Sequence, residues 1–357
     1  MPKSKRPTAP ANPRSGTPTR PVSLRDLAAH LGLSRTTISL VLNNSHVAQG
    51  LSAETRERVL KAAAELNYKA NYFARMLNRK PSCMVGVLSP DLSEGYDSEI
   101  LNGIERFLIE RNYLYFVSSH HWDKALIRRR LEDFAERGAE GIILINTPIE
   151  SASELPLVSI GSLDHNFCQT RITVDNAHGI QIALEHLYAL RHRKIAFFKG
   201  HVASSDTESR WTACLEMAQE LNLLIHKEHV VQLQRIEGRL DPIREGYVAA
   251  QHLMRAKLPF TALIAFNDMS AIGAIHAFRD AGKRIPEDIS VIGFDDVQAA
   301  SIVQPSLTTV RQPLGQMGKL AASEILASIG DVGLEPRRIS IEPELVIRQS
   351  TAACLQA

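Results

Sequence analysis

Arg35, Thr36, Ser39 and Leu40 fall on one side of an eight-residue stretch, Arg35-Thr-Thr-Ile-Ser-Leu-Val-Leu42, whose other side carries Ile38 and Val41. A guanidinium, two hydroxyls and an aliphatic tip on one helix face are groups that bond base edges and phosphates, or touch a thymine methyl, in a DNA major groove. Such a face must be held by its neighbours. Ser23 and Ser34 each stand where a helix begins, placed to accept a hydrogen bond from a backbone N–H two or three residues on. Gly32 can take the left-handed conformation that ends one helix and lets another start at a steep angle. Leu27, Leu31, Leu33, Ile38 and Val41 lie where two such helices touch, and Ala28 lets them approach. Cap, glycine and apolar spacing together make a helix-turn-helix pattern; a helical hairpin inside a core shares that spacing but not the charge around it.

The formal charge of +2 over 357 residues hides an asymmetry. Residues 1–80 carry 14 Lys/Arg against 4 Asp/Glu, a net +10, and the remainder carries 27 against 35, a net −8. A basic module on an acidic body suits phosphate binding, because counterion release from DNA supplies sequence-independent affinity. The four cysteines, Cys83, Cys168, Cys214 and Cys354, have no Cys-x-x-Cys spacing, so neither a disulfide framework nor a zinc site is expected. No apolar run reaches the roughly 20 residues of a membrane span, and no signal-peptide pattern opens the chain. The expectation is a soluble, cytoplasmic protein with no membrane partner.

Residues 1–20, with five prolines, read as a disordered basic arm. The headpiece spans 21–68: after the second helix comes a polar loop, Asn43 to Leu51, then a third helix from its cap Ser52 to about Leu66. Residues 69–81 form a short helix-compatible linker, marginal unless docked against something. From Ser82 the texture becomes strand-like runs (Met84–Leu88, Tyr113–Ser118, Gly141–Ile145, Leu157–Ile160, Lys194–Phe198, Ala262–Ala265, Ser290–Phe294) alternating with amphipathic helices. That alternation means parallel sheets covered on both faces. So long a run is too much for one sheet and predicts a two-lobed α/β core over 82–350, with a ligand cleft at the carboxyl ends of the strands. Lobe 1 is predicted at about 82–161 and 293–324, lobe 2 at about 162–292 and 325–350, with a tail at 351–357.

At these residues the chain resembles the lactose-repressor (LacI/GalR) family of bacterial transcription regulators. The headpiece has Asp26-Leu-Ala, Ser34-x-Thr-Thr-Ile-Ser39, Val41-Leu-Asn43, Thr55-Arg-Glu-Arg-Val59, Leu66-Asn-Tyr68 and Ala74-Arg-Met-Leu77. The core has Gly86-Val with Pro90-Asp91, Gly141-Ile-Ile-Leu144, Val174-Asp-Asn176, His192-Arg-Lys-Ile195, Phe266-Asn-Asp268, Ile292-Gly-Phe-Asp-Asp296, and Leu307-Thr-Thr-Val310 with Gln312. The resemblance implies an all-α helix-turn-helix headpiece, a periplasmic-binding-protein-like core, and a homodimer reading palindromic double-stranded operator DNA. Carried over residue by residue, Ser34, Arg35, Thr36, Thr37, Ser39, Leu40, Asn43, Tyr68, Asn71, Ala74, Arg75 and Leu77 are its DNA-binding positions, with Leu77 the residue that wedges into the minor groove. Departures are a loop about three residues longer after Asn43, Ala70 where proline is usual before the hinge helix, and Leu40 where a polar base-reader is common.

The same resemblance places Tyr96, Arg210, Asn267 and Asp295 against a small-molecule effector, by default a sugar or sugar derivative. His120, after the second strand, either faces that cleft or sits on an exposed loop. Gly161 stands where sugar-responsive members often have an acidic residue, which keeps phosphorylated, acidic and nucleobase-like ligands open. Asp268 reads as the cap of the following helix. Of the adjacent pair, one of Asp295 and Asp296 is a ligand contact and the other structural, because neighbouring strand-end residues point apart. No nucleophile elbow, Walker loop or dinucleotide fingerprint is present. His226 and His229, without a third ligand nearby, read as a solvated loop, so no catalysis, cofactor or resident metal is expected. A solute-binding protein would share the core but not the headpiece, and a sugar-processing enzyme would need a catalytic base. The short tail excludes a C-terminal heptad bundle, so a dimer is expected rather than a tetramer.

Overall fold

A computed structural model describes residues 22–42, 46–68, 81–92, 95–161, 167–202, 204–236, 240–256, 258–330 and 335–355. The arm 1–20 and most of the linker 69–81 lie outside the described residues. The chain divides into two compact units, 1–81 and 82–357.

In the first unit, α1 (Leu24–Leu31) and α2 (Arg35–Leu42) are followed by a 3-10 turn, His46–Gly50, and α3 (Ala53–Glu65). Ser23 caps α1 by accepting from Asp26 N–H at 3.3 Å, while the Asp26 carboxylate accepts from Ser23 N–H at 2.8 Å. That reciprocal pair is a capping box, which satisfies two otherwise orphaned donors. Gly32 ends α1 at φ 65°. Ser34 Oγ and Ser52 Oγ cap the next two helices, accepting from Thr37 N–H at 3.0 Å and Thr55 N–H at 3.2 Å. Leu27, Ile38, Val41, Val59 and Ala62 form the buried centre. Ala48 joins them, so part of the stretch expected as a polar loop is a buried turn.

The second unit holds two six-stranded sheets. The first contains β1 (Met84–Ser89), β2 (Leu114–Ser119), β3 (Gly141–Ile145), β4 (Leu157–Ile160), β5 (Thr170–Val174) and β11 (Arg337–Ile341), in the order β11-β5-β4-β3-β1-β2, every pair parallel. The second contains β6 (Ile195–Lys199), β7 (Val230–Gln232), β8 (Ala262–Ile264), β9 (Ser290–Asp295), β10 (Thr308–Arg311) and β12 (Glu344–Val346), in the order β12-β10-β9-β8-β6-β7. Its β10–β12 pair is antiparallel, the departure from the parallel expectation. The helices are α4 (Gly95–Ile109), α5 (Lys124–Glu136), α6 (Asn176–Ala189), α7 (Ser205–Glu220), α8 (Pro242–Arg255), α9 (Asp268–Asp280), α10 (Gln298–Ile302) and α11 (Leu314–Ser328). Among the described residues no helix is long and apolar enough to cross a membrane.

This topology corrects the lobe boundaries. β5 belongs to lobe 1 and β9 and β10 to lobe 2, whereas β11 returns to lobe 1. The chain therefore crosses between lobes after Val174, after Arg311 and after Ile341, not near 161, 292 and 324. Of the misplaced strands, β5, β10 and β11 are short and rich in Thr and Arg, so they lack the apolar run by which a buried parallel strand is recognised. β9 carries such a run, which marks a strand but not its sheet. Residues 351–355 are no loose tail either: Ser290 Oγ accepts from Ala352 N–H at 3.1 Å, and Leu190 O accepts from Cys354 N–H at 2.8 Å. Buried His192 bridges the Ala352 carbonyl and Thr261 Oγ1, at 2.9 Å each, which ties the segment to the sheet.

The helices beside the cleft approach backbone to backbone. A Cβ on Gly103 of α4 would collide with the Gly315 carbonyl of α11, and one on Gly318 with the Ile100 carbonyl of α4. α8 and α9 repeat the arrangement, with Gly246 against Ser270 and Gly273 against Ile243. Gly103→Ala is expected to destabilise the core by about 1–3 kcal/mol through overpacking. Chemical denaturation of the purified protein checks this, and a loss below about 0.5 kcal/mol would mean that the two helices are not in the contact described.

Candidate functional site

On the headpiece, Ser34, Arg35 and Thr36 are exposed at the start of α2. Thr37 and Ser39 are half-buried, and the Ser34 and Thr37 hydroxyls are 2.9 Å apart. Leu40 departs from the outward placement: it is half-buried and packs on the headpiece core, because its side chain covers the cluster around Ile38 and Val41. Tyr68 also packs there, with its N–H on the Ala63 carbonyl at 2.8 Å and its hydroxyl pKa raised by burial. Asn43, Asn71, Ala74, Arg75 and Leu77 lie outside the described residues.

In the second unit a cleft opens between the lobes where strands end. Tyr96, Arg210, Asn267 and Asp295 all line it. Arg210, on the second turn of α7, is 6% exposed. Its Nε donates to Asn176 Oδ1 at 2.8 Å and one terminal nitrogen donates to the Phe266 carbonyl at 2.7 Å. The guanidinium lies 3.6 Å from the Phe294 ring centre and 4.8 Å from that of Phe266, so aromatic faces share in holding the charge. Asn267 is the N-cap of α9, its Oδ1 accepting from Ser270 N–H at 2.9 Å. The cap is thus Asn267 and not Asp268. Asp268 is fully buried instead, accepting from Val297 N–H at 2.9 Å and from Thr309 Oγ1 at 2.5 Å.

His120 is neither a cleft residue nor exposed. It is fully buried, with Nε2 3.0 Å from Thr147 Oγ1 and Nδ1 accepting from Trp122 N–H at 3.0 Å. Desolvation pushes its pKa down to about 4, so it stays neutral and fixes the turn after β2. That turn carries Trp122 into the cleft. His229 is likewise buried, against Phe260, and not part of a solvated loop. Among the described residues no group of three or more His, Cys, Asp or Glu is placed to hold a metal.

Further residues line the cleft that sequence reasoning passed over: Asp91, Asp97, Trp122, Asn146, Asp206 and Glu245. Asp91, Trp122 and Asn146 follow β1, β2 and β3 by one to three residues, and Asp97, Asp206 and Glu245 sit in the first turns of α4, α7 and α8. Their signal was position alone, the carboxyl end of a parallel strand and the helix start beyond it. Several sit on strained backbone: Asn146 at φ 42°, His121 and Trp122 at 49° and 63°, Asp295 and Asp296 at 112° and 57°. Non-glycine residues held in the left-handed region cluster where a site over-determines them. Asp295 accepts from Gln312 Nε2 at 2.6 Å and faces the cleft, while Asp296 is held away from it by Arg311 and Arg348, each at 2.6 Å.

Burial dominates the titration of this wall. It raises Asp97 to about 7, against the Ser89 hydrogen bond and with help from Asp91 and Asp295. It raises Asp295 to about 7 against the attraction of Arg210 and the Gln312 hydrogen bond, with Asp206 adding to the rise. Tyr96 is held well above its usual value by burial, with Asp206, Asp295 and Asp97 adding to the rise and Arg210 opposing it.

Comparison with known proteins adds three findings. Residues 23–71 match the family described as bacterial regulatory proteins, lacI family, and 184–351 match the periplasmic binding protein-like domain. The chain is 30% identical over 345 residues to the HTH-type transcriptional repressor PurR of Haemophilus influenzae, covering 93% of this chain and 99% of that protein. It is 27% identical over 334 residues to the ribose operon repressor of the same organism, covering 92% and 98%. Among solved structures, the lac repressor dimer bound to operator and the anti-inducer ONPF superposes with a TM-score of 0.82 at 24% identity, covering 94% of this chain and 100% of that one.

The raised carboxylates set a pH dependence. A buried Asp97 that keeps its proton to about 7 withdraws stability as pH rises from its unfolded value near 3.8 through 7, because the unfolded chain gives up that proton first. Asp97→Asn removes this penalty. The variant's melting temperature relative to wild type is expected to climb between about pH 4 and pH 7 and then level. A flat difference across that range in thermal melts would contradict the buried, protonated carboxyl.

Proposed function

This chain belongs to the lacI family of bacterial regulatory proteins, and on that footing we propose that it is a DNA-binding transcriptional repressor controlled by a small molecule in the interlobe cleft. The observation that carries this is the pairing, in one chain, of an exposed Arg35 face on a capped helix-turn-helix with a polar cleft between two parallel-sheet lobes. A solute-binding protein has no use for the first. The relatives are repressors and not enzymes.

In this reading two subunits place their α2 helices in successive major grooves of a palindromic operator in the bacterial cytoplasm, at the nucleoid. Ser34, Arg35, Thr36, Thr37 and Ser39 contact phosphates and base edges. Leu77 wedges into the central minor groove, exchanging a few kcal/mol of unstacking for bent DNA that meets more protein. Tyr96, Arg210, Asn267 and Asp295 hold the effector, a sugar or a related hydroxylated molecule. Effector binding shifts the angle between lobes, and it can do so only by the difference in its affinity for the two states, typically about 1–3 kcal/mol.

Selection of bound sequences from random duplex DNA, at near-physiological salt, is expected to return a palindrome of about 14–20 base pairs. An unrelated or non-palindromic motif would overturn the dimeric reading, and an unselective pool would overturn the repressor itself. Leu77→Ala is expected to lower the ratio of specific to non-specific affinity at least about tenfold. Equal loss on both kinds of DNA, read by filter binding, would remove the wedge.

A further inference from the structure

Trp122 reaches the cleft from a strained turn. His121 and Trp122 stand in succession at φ 49° and 63°, in a region that residues with a Cβ seldom enter, so their surroundings must hold them there. Four consecutive backbone donors do so. The N–H groups of His120 and His121 go to the Ser89 and Pro90 carbonyls at the end of β1, at 3.0 and 2.9 Å, and that of Asp123 goes to the His120 carbonyl at 2.8 Å. The fourth, the N–H of Trp122 itself, goes to a side chain, His120 Nδ1, at 3.0 Å.

That bond fixes the state of the imidazole. A nitrogen that accepts an N–H carries no proton, so in the neutral ring the proton sits on Nε2 and is given to Thr147 Oγ1, 3.0 Å away. The Thr147 hydroxyl in turn points at the carbonyls of Ile145, at 2.8 Å, and Leu88, at 3.1 Å. His120 and Thr147 are both buried, and burial, with His121 adding to it, holds the His120 pKa at about 4, so this one tautomer persists at neutral pH. A chain of bonds therefore runs from the ends of β1 and β3, through Thr147 and His120, to the backbone of Trp122. The imidazole and indole planes stand at 89° with centres 5.7 Å apart, so the same ring also meets the Trp122 side chain. His120 stays behind the wall that Trp122 forms.

We propose that His120 is a positioning residue of the effector site: its Nε2-protonated imidazole, braced by Thr147, holds Trp122 in the cleft wall and so shapes the site without touching the ligand. This assignment rests on the reading of the cleft as the effector site, and it adds a residue that governs ligand fit from behind. A packing role for His120 needs only its volume. A positioning role needs its acceptor.

The chain has two tryptophans, so Trp211→Phe leaves Trp122 as the one indole emitter in the full-length protein. In that background His120→Leu keeps an apolar filling but offers no acceptor. His120→Asn is smaller, yet its carbonyl accepts the N–H two residues on, as in an Asx turn. The asparagine variant is expected to keep the emission maximum and acrylamide quenching of Trp122. The leucine variant shifts the maximum to the red and raises the quenching, because a freed indole meets more water. Thr147→Val, which loses the oxygen but not the shape, moves Trp122 in the same direction as leucine at 120, and Thr147→Ser restores it; this pair decides should a His120 variant fail to fold. An asparagine variant no nearer to wild type than the leucine variant, or a Trp122 unmoved by Thr147→Val, overturns the positioning role and leaves the effector reading untouched. Of D-ribose, D-glucose, D-galactose, adenine and guanine, any that shifts Trp122 emission is expected to bind the leucine variant about tenfold more weakly than the asparagine variant. Equal binding overturns the role in shaping the site. A ligand that shifts the emission yet leaves affinity for the selected operator unchanged overturns the effector reading and not the position of Trp122.

Discussion

Parallel strands all end on the same edge of their sheet, and the rest of this core follows from that constraint. In lobe 1 the strand ends of β1, β2 and β3 deliver Asp91, Trp122 and Asn146 to one rim, and in lobe 2 those of β6, β8 and β9 deliver His201, Asn267 and Asp295 to another. β1 and β6 are each followed by a helix, α4 and α7, whose first turn lies at the same rim, which adds Asp97 and Asp206. A cleft lined with polar groups is therefore a property of the topology, and its chemistry is free to vary in the few residues after each strand. Neighbouring helices are held to one another by close backbone contact, through Gly103 and Gly318 in one lobe and Gly246 and Gly273 in the other. Such contacts leave little slack inside either lobe.

What joins the lobes is three crossings of the chain, and around them the side chains are unusually committed. Asp296 is gripped by Arg311 and Arg348, and Arg311 also reaches Glu344 at 2.6 Å. Buried Asp268 ties the turn after β9 to Thr309 of β10. Burial holds the Asp268 carboxyl well above its usual range, with Asp295 adding to the effect, although both hydrogen bonds oppose it. These groups surround Asp295, the residue that faces the cleft, so a ligand drawn to Asp295 acts directly on the strand end beside the second crossing. Movement of the lobes and occupation of the cleft share the same few atoms, as linkage between effector and DNA requires.

Burying carboxyl groups at the rim of the cleft is costly, and the titration of Asp97 and Asp295 records the cost. Burial raises Asp97 and Asp295 to about 7 although each carboxyl accepts a hydrogen bond, from Ser89 and from Gln312, and although Arg210 attracts Asp295.

The sequence by itself determined the units that local chemistry can specify. Ser23, Gly32 and Ser34 announce the helix-turn-helix because caps and a left-handed glycine act within four residues, and the all-buried β1 and β3 announce themselves because both their faces must be apolar. Asn267 and Asp295, in motifs beyond strand ends, and Arg210, near a helix start, were legible through the family resemblance, and in the structure all three line the cleft. Tertiary structure decided what depends on residues far apart in the chain. It assigned β5, β9 and β11 to their lobes, because neither a strand rich in Thr and Arg, such as β5 and β11, nor an apolar one, such as β9, carries a mark of the sheet that will pair with it. It turned His120 inward, because Thr147, which it meets, lies 27 residues away. It also brought Asp91, Asp97, Asp206, Glu245 and Asp295 to one cavity, because strand ends and helix starts from distant parts of the chain become neighbours only once the chain has folded.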